Sequence, residues 1–430
     1  MTPPARLAAA IEVMAEIAAR RRPAADALKD WGLSHRFAGA GDRSAIGGLV
    51  YDALRAKASS AWLMGDESAR GVLLGALHRT RGLEVEAIAR LCSGERYAPA
   101  ALSEAESARL AAASLDGAPI DVRADIPDWL APAFLEAFGG EAEAEGRALS
   151  ERAPIDLRVN TLKTSRDAAL LKLAHLNARP TPHSPVGLRI VVGADGRAPA
   201  LHAEPAYIKG LVEIQDEGSQ VAALLSGARA GMQILDLCAG GGGKSLALAA
   251  MMENHGQIYA TDSDARRLAP IHERLKRAGV HNVQVRSPRK GVDVVADLER
   301  RCDLVLVDAP CSGSGAWRRN PDAKWRFRPN ALALRLKEQS EALQQGARAV
   351  KPRGRLHYVT CSLFRSENED QITAFLERNA DFLPIDAGQL AREAGLLDLA
   401  PCASRLGAGL RLSPLKTGTD GFYVAALMRI

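Results

Sequence analysis

The chain has 430 residues, of which 47% are apolar and 25% are charged. This balance is typical of globular proteins and excludes a disordered, collagen-like or coiled-coil chain, while the length indicates roughly three domains. No stretch reaches the ~18 apolar residues that a membrane helix needs. The charges at Arg6, Glu12 and Glu16 are not typical of a secretory signal, so we expect a cytoplasmic protein. The net charge of +5 permits a nucleic acid as partner without requiring one.

Residues 1–125 are rich in alanine and carry apolar side chains at helical spacing. The first apolar stripe consists of Leu7, Ile11, Met14 and Ala18. No alternating strand pattern interrupts this part of the sequence. We therefore predict an all-α bundle for residues 1–125.

Residues 126–205 combine a helical segment with the alternating stretch Ile155–Leu162, which predicts a small α+β linker subdomain. From about residue 206 to residue 430, short apolar runs alternate with helical segments. These runs lie at residues 233–238, 257–262, 303–308 and 355–361. Continuous apolar strands separated by helices predict a doubly wound α/β sheet that is covered on both faces. Ligands of such sheets bind at the carboxyl ends of the strands.

A glycine-rich loop, residues 239–243, lies between the first of these runs and a predicted helix. Glycines permit a tight turn and let a ligand approach the N–H groups at a helix start. A phosphate-loop motif would need a glycine at Cys238, and the spacing of a dinucleotide motif also fails by one residue. An S-adenosylmethionine site needs an acid in the first strand and another at the end of the second. Asp236 and Asp262 satisfy this requirement, and Asp262 would accept hydrogen bonds from the ribose hydroxyls.

Two cysteines, Cys311 and Cys361, follow strands that we expect to be neighbours, and Asp308 ends the first of these strands. Two thiols beside a carboxylate and a methyl donor suggest methylation of carbon 5 of a cytosine. That carbon becomes nucleophilic when a thiolate adds to carbon 6, and an acid at ring N3 favours the addition. An apolar strand ending in Asp308 is also typical of a magnesium-binding phosphate-loop hydrolase, which stays open as an alternative.

The sequence resembles the Sun/Fmu (RsmB-like) family of RNA cytosine-5 methyltransferases. The matching stretches, which span about 270 residues, are Arg158–Thr161, Gln215–Ser219, Asp236–Lys244, Asp308–Gly313, Arg318–Asp322, Thr360–Ser362 with Glu367–Asn368, and Asp420–Tyr423. The resemblance implies a class I Rossmann-like methyltransferase domain in residues 206–430. It implies S-adenosylmethionine as the cofactor and RNA, 16S ribosomal RNA above all, as the partner.

The resemblance also implies roles for individual residues. Cys361 would be the nucleophile, Cys311 would assist product release, Asp308 would bind the base edge, and Lys244 would lie beside both cofactor and base. The cofactor would contact Asp236, Cys238, Ala239, Gly240, Gly241, Gly242, Gly243, Lys244, Asp262, Ser287 and Asp308.

The amino-terminal part resembles the NusB-like helical RNA-binding domain of ribosomal RNA members of the family, best over residues 42–55. Two departures concern the cofactor. Gly240 and Gly241 replace the family's Ala-Pro, so we expect a more flexible loop. The acid that the family carries after the third strand is also absent, since Arg286 and Ser287 follow there, and Ser287 would substitute only weakly.

The segment 317–328 interleaves basic and aromatic residues, a pattern typical of contacts with single-stranded or flipped-base RNA. The predicted RNA-binding residues are Arg158, Arg318, Arg319, Lys324 and Trp325. We expect no bound metal, because the cysteines and histidines lack the spacing of a zinc site. We also expect a monomer. A catalytically inactive RNA-binding protein is the third hypothesis, which the intact Asp308, Cys311 and Cys361 disfavour.

Overall fold

The computed structural model describes residues 1–193 and 199–430, so residues 194–198 of the predicted linker subdomain lie outside the described part. The described residues form two compact units. The helical unit comprises residues 1–153, 192–193 and 317–327, and the sheet unit comprises residues 154–191, 199–316 and 328–430. The helices of the described residues include none with the length and apolar character needed to span a bilayer.

The α-helices of the described residues are, in chain order, α1 Pro3–Arg20, α2 Ala24–Ser34, α3 Ala40–Arg55, α4 Lys57–Met64, α5 Ala69–Arg81, α6 Val85–Leu91, α7 Glu104–Ala111, α8 Ile120–Arg123, α9 Ala131–Phe138, α10 Ala142–Ser150, α11 Arg166–Lys172, α12 Pro205–Ile208, α13 Glu217–Leu224, α14 Gly243–Met251, α15 Ala265–Leu268, α16 Ile271–Ala278, α17 Pro321–Arg326, α18 Pro329–Ala349, α19 Glu369–Arg378, α20 Ala387–Glu393 and α21 Pro414–Thr417.

The strands of the described residues are β1 Ile155–Val159, β2 Arg179–Pro180, β3 Gly187–Ile190, β4 Val212–Ile214, β5 Gln233–Asp236, β6 Gln257–Thr261, β7 Val283–Arg286, β8 Cys302–Asp308, β9 Val350–Thr360, β10 Phe382–Pro384, β11 Leu410–Leu412 and β12 Phe422–Arg429.

The helical unit contains α1 to α10 and α17, and α1 to α7 surround an apolar core against which Trp325 of α17 packs. The predicted helices are present, but the buried stripe of α1 differs from the predicted one. Leu7 and Met14 are buried as expected, whereas Ala18 is exposed and Ile17 is buried in its place. The unit continues to residue 153, beyond the predicted boundary at residue 125, because α9 and α10 belong to it.

The sheet unit begins with a four-stranded antiparallel sheet in the order β2-β3-β1-β4. Its central strand β1 lies where the alternating pattern predicted a strand. In β1, Arg158 lies opposite Glu213 of β4. Asp156 accepts two hydrogen bonds from Arg189 of β3, at 2.7 and 2.8 Å.

The large sheet of this unit has the order β10-β12-β9-β8-β5-β6-β7, with β11 paired to β12. The strands β9, β8, β5, β6 and β7 are parallel, as the alternation of apolar runs and helices predicts. β12 runs antiparallel to β9 and β10, so the sheet is mixed rather than wholly parallel. The carboxyl ends of β5, β6, β8 and β9 meet at one edge, which carries the predicted site residues.

Candidate active site

Two cysteine side chains meet at the carboxyl ends of β8 and β9. These strands are parallel neighbours, and the Sγ atoms of Cys311 and Cys361 lie 3.4 Å apart. The backbone N–H of Gly315 donates to the carbonyl oxygen of Cys361 at 2.9 Å, which joins the two loops. The hydrogen bond with Cys361 and burial raise the pKa of the Cys311 thiol well above its usual range. Cys311 is therefore held in its neutral form, and the predicted proximity of the two thiols is confirmed.

A fully buried carboxylate, Glu367, lies between the two cysteine loops. It accepts hydrogen bonds from the backbone N–H and the hydroxyl of Ser312 and from the hydroxyl of Ser362. The side-chain amide of Gln339 on α18 donates a further bond at 3.0 Å. Each serine directly follows one of the cysteines, so Glu367 fixes one loop relative to the other. The sequence motif contains Glu367, but the motif alone did not indicate this role.

Lys244 and Asp308 form an ion pair at the same edge of the sheet. Lys244 lies in the first turn of α14, and its Nζ donates to Oδ2 of Asp308 at 2.7 Å. The Lys244 ammonium also lies 5.3 Å from the centre of the Phe422 ring. Lys244 is 7% exposed, while the Asp308 side chain keeps 31% exposure, so the carboxylate remains accessible to a ligand.

The glycine loop requires glycine for steric reasons at two positions. Gly240 and Gly242 have φ values of 51° and 80°, in the left-handed region that glycine favours. A Cβ atom at Gly242 would lie 2.4 Å from Ile271, too close for any side chain. The N–H of Gly240 donates to Oδ2 of Asp262 at 2.9 Å, and this bond joins the loop to the end of β6.

Two guanidinium groups hold carbonyl oxygens of this loop. Arg274 Nη1 donates to the carbonyl oxygen of Gly241 at 2.6 Å, and Arg158 Nη1 donates to that of Gly243 at 2.7 Å and to the side chain of Gln215. The expectation of a more flexible loop did not foresee these contacts. Burial lowers the pKa of Arg158 to about 10. The prediction that Arg158 binds RNA is wrong, because its side chain is buried against the loop.

Asp236 lies beneath the loop at the end of β5. Its Oδ2 accepts a hydrogen bond of 2.6 Å from the hydroxyl of Ser245 in α14. Its Oδ1 is buried and has no hydrogen-bond partner among the described residues. Burial raises the pKa of Asp236 to about 7. In this structure Asp236 supports the start of α14 from inside the sheet unit.

A cavity of about 440 Å³ opens beside the end of β6. Its size falls in the range of small-molecule sites. Cys238 and Asp262, both predicted to bind the cofactor, line it, and burial strongly raises the pKa of the Cys238 thiol. Ala239 donates its N–H to the carbonyl oxygen of Thr261 at 2.8 Å, next to this wall. Other residues that line this cavity are Leu237, Ser263, Arg267, Pro288, Arg289, Asp293 and Arg335.

The wall after β7 differs from the sequence-based expectation. Arg286 turns to Asp297, with an Nη2–Oδ2 distance of 2.9 Å, and Pro288 and Arg289, which follow Ser287, line the cavity. Asp293 also lines the cavity and supplies a carboxylate. Arg348 holds one oxygen of Asp293 at 2.7 Å. Sequence reasoning missed Asp293 because it lies seven residues beyond the end of the strand.

The segment around α17 belongs to the helical unit. Lys324 Nζ donates to the carbonyl oxygens of Arg55 at 2.9 Å and Asp125 at 2.5 Å, and Lys324 is only 2% exposed. Burial lowers its pKa to about 8. Trp325 Nε1 donates to the carbonyl oxygen of Leu54 at 2.6 Å, and its ring packs against the helical core. The prediction that Lys324 and Trp325 bind RNA is wrong, because both side chains turn into their own unit. Arg318 and Arg319 instead line a cavity of this unit.

Comparison with known proteins identifies the family. The family model described as 16S rRNA methyltransferase RsmB/F matches residues 223–428, and the RsmF/B-like ferredoxin-like domain matches residues 126–195. The ribosomal RNA small subunit methyltransferase B of Sodalis glossinidius is 33% identical over 338 residues, which make up 78% of this chain and 70% of that protein. The chain belongs to this methyltransferase family. The resemblance seen in the sequence motifs is thereby confirmed.

Other members and structures of this methyltransferase class are also similar. A probable ribosomal RNA small subunit methyltransferase B of Synechocystis is 35% identical over 263 residues, or 60% of this chain. That match spans 57% of the relative's length, less than two thirds of it. A methyltransferase homolog protein from Pyrococcus horikoshii is similar in structure, with a TM-score of 0.58 and 25% identity over 72% of this chain and 98% of that chain.

The cofactor of this methyltransferase is S-adenosylmethionine. The residues at the edge of the sheet fit it. Asp262, which follows the second parallel strand β6, offers a carboxylate to ribose hydroxyls. The glycines of the adjacent loop have no side chains that would fill the space beside this carboxylate.

Proposed function

We propose that this chain methylates carbon 5 of a cytosine in 16S ribosomal RNA through a covalent cysteine–cytosine adduct. The observation that supports this best is the 3.4 Å contact between Cys311 and Cys361. Cys311 lies three positions after Asp308, which forms the ion pair with Lys244 at the same edge of the sheet. Methylation of most RNA positions needs no thiol. A thiol pair beside a carboxylate suits a base that must first be activated by addition.

In the proposed reaction, the Cys361 thiolate bonds to carbon 6, and the electrons of the C5–C6 double bond move into the ring. Asp308 takes the proton that the Cys361 thiol loses and donates it as a hydrogen bond to ring N3, where negative charge develops, while Lys244 holds the carboxyl group in place. S-adenosylmethionine supplies the methyl group that carbon 5 then takes. A water molecule takes the proton from carbon 5, which restores the double bond and expels Cys361. Cys311, as a neutral thiol, assists this last step by donating its S–H to the departing sulfur of Cys361.

The parts of the chain take separate tasks in this proposal. Residues 1–125 serve as a NusB-like RNA-binding domain, residues 126–205 as a linker subdomain, and residues 206–430 as the catalytic domain. The enzyme works as a monomer in the cytoplasm, where ribosomal RNA is made. A phosphate-loop hydrolase is disfavoured, since Cys238 occupies the position of the required glycine.

Methylation of unmodified 16S RNA transcript by the purified chain tests the function, with bisulfite sequencing to find the modified base. Cys361→Ala should abolish methyl transfer, whereas Cys311→Ala should accumulate a protein–RNA adduct on a denaturing gel. Cys302→Ala is the control, because Cys302 is a buried packing residue at the start of β8. An adduct from Cys361→Ala instead would reverse the two roles, and methyl transfer to an atom other than carbon 5 would refute the proposal.

A further inference from the structure

The helical unit contains a cavity of about 480 Å³ that is lined by arginines. We call it the arginine cavity, and its charged lining residues are Arg43, Arg55, Arg152, Arg318 and Arg319. Its lining within the described part of the chain includes no carboxylate. The ring of Tyr51 also lines it.

Among the described residues, two of the lining arginines share one carboxylate. One carboxylate, Asp52, is shared by three guanidinium groups: Arg152 and Arg81 approach it to 2.8 Å and Arg55 to 3.5 Å. A single negative charge therefore faces three positive ones. Asp322, which lies three positions after Arg319 in the chain, forms an ion pair with Arg326 at 3.0 Å.

The guanidinium of Arg55 is incompletely hydrogen-bonded among the described residues. Its Nε atom is buried and has no hydrogen-bond partner among the described residues. Its Nη2 donates a long hydrogen bond of 3.3 Å to the carbonyl oxygen of Arg318. Burial disfavours its charge, and the nearby Arg152 disfavours it further, so the pKa of Arg55 is lowered. An anion in the cavity would relieve both costs.

We propose that the arginine cavity binds backbone phosphates of the RNA substrate. Guanidinium groups bind phosphate oxygens through two parallel N–H bonds, and several arginines around one cavity can hold consecutive phosphates. Tyr51 offers a ring face to a neighbouring base. The inference rests on the proposed function in that the substrate is RNA. It extends the site prediction from Arg318 and Arg319 to Arg43, Arg55 and Arg152 on other parts of the helical unit.

Filter binding of the full-length chain to unmodified 16S RNA transcript, without S-adenosylmethionine and at several KCl concentrations, tests this inference. The double variant Arg43→Gln/Arg319→Gln should weaken binding about tenfold or more. It should also lower the slope of log affinity against log salt by about 1.4, since each lost single-strand phosphate contact contributes about 0.7. The matched control is Arg20→Gln/Arg36→Gln, which removes two exposed arginines of the same unit.

An equal loss of affinity in the control pair would overturn the inference, because overall charge would then explain the binding. A second arm measures thermal unfolding with inorganic phosphate. If phosphate stabilises the wild type but not the double variant while RNA affinity is unchanged, the cavity is a free-phosphate site and the inference is also overturned. The readout is independent of catalysis: weakened RNA binding supports the cavity even if no methylated cytosine is found, and a failed methylation assay speaks only against the proposed function.

Discussion

The carboxylate of Glu367 accepts the backbone N–H of Ser312 at 2.7 Å, and Ser312 directly follows Cys311. The same carboxylate accepts the hydroxyl of Ser362, which directly follows Cys361. One buried group thus determines how closely the two thiols approach.

Glu367→Gln should therefore slow methyl transfer by about 100-fold, because a misplacement of about 1 Å in an active site can cost that much. Single-turnover rates with 16S transcript measure this, and calorimetry should show an unchanged dissociation constant for S-adenosylmethionine. Glu377→Gln, an exposed position on the following helix α19, is the control. A rate within twofold of the wild type would show that Glu367 does not position the thiols.

Arg274→Gln should weaken S-adenosylmethionine binding about tenfold, since the loop carbonyl of Gly241 loses its guanidinium partner and the loop gains freedom. Loss of one such bond to a charged donor is worth about 1.5–3 kcal/mol. Isothermal titration calorimetry measures the change. Arg277→Gln is the matched control, because Arg277 shares α16 and pairs with the same Glu213. Equal effects of both variants would assign the change to Glu213 rather than to the loop.

Asp293→Asn should reduce the preference for an adenine over a hypoxanthine ring in the cofactor. A carboxylate can accept a hydrogen bond from the 6-amino group, and a site built for such a bond discriminates strongly against a ligand that lacks it. Competition between S-adenosylhomocysteine and S-inosylhomocysteine measures the preference, which we expect to fall about tenfold. Arg348→Gln removes the ion-pair partner of Asp293 and keeps the carboxylate, so it should retain the preference.

The stability of the chain should depend on the charge of Asp236. Its folded-state pKa of about 7 lies above that of an unfolded aspartate, so its contribution to stability is fully present only below about pH 4 and is lost progressively as the pH rises from there through 7. Asp236→Asn should therefore gain several degrees in unfolding temperature relative to the wild type between pH 5 and pH 8. Asp264→Asn, where hydrogen bonds from Arg266 lower the pKa, should show a constant difference over this range.

The strand-end residues were predictable because hydrophobic runs ending in polar residues determine both the strands and the edge at which they end. This reasoning predicted the edge of the sheet at which Cys311, Cys361, Asp308 and Asp262 lie, and the structure places Cys311 and Cys361 in contact there. It failed for Lys324, because a basic residue in a polar sequence does not reveal whether carbonyl oxygens will surround it.

Two further features had no signal that sequence reasoning could use. The antiparallel direction of β12 has none, since apolar runs look alike in either direction. The partner of Glu367 is equally invisible, because its hydrogen bonds reach serines 55 and 5 positions away along the chain.

The position of α17 within the helical unit has a practical consequence for anyone who divides this chain into fragments. A fragment that stops at residue 153 lacks the indole that bonds to Leu54 and the ammonium that bonds to Arg55 and Asp125. In such a fragment these carbonyl oxygens lose their hydrogen-bond donors. We expect it to express poorly unless a peptide spanning residues 317–327 is supplied in trans. We therefore expect that residues 1–153 do not fold stably on their own, although the sequence predicts a separate helical bundle in this part of the chain.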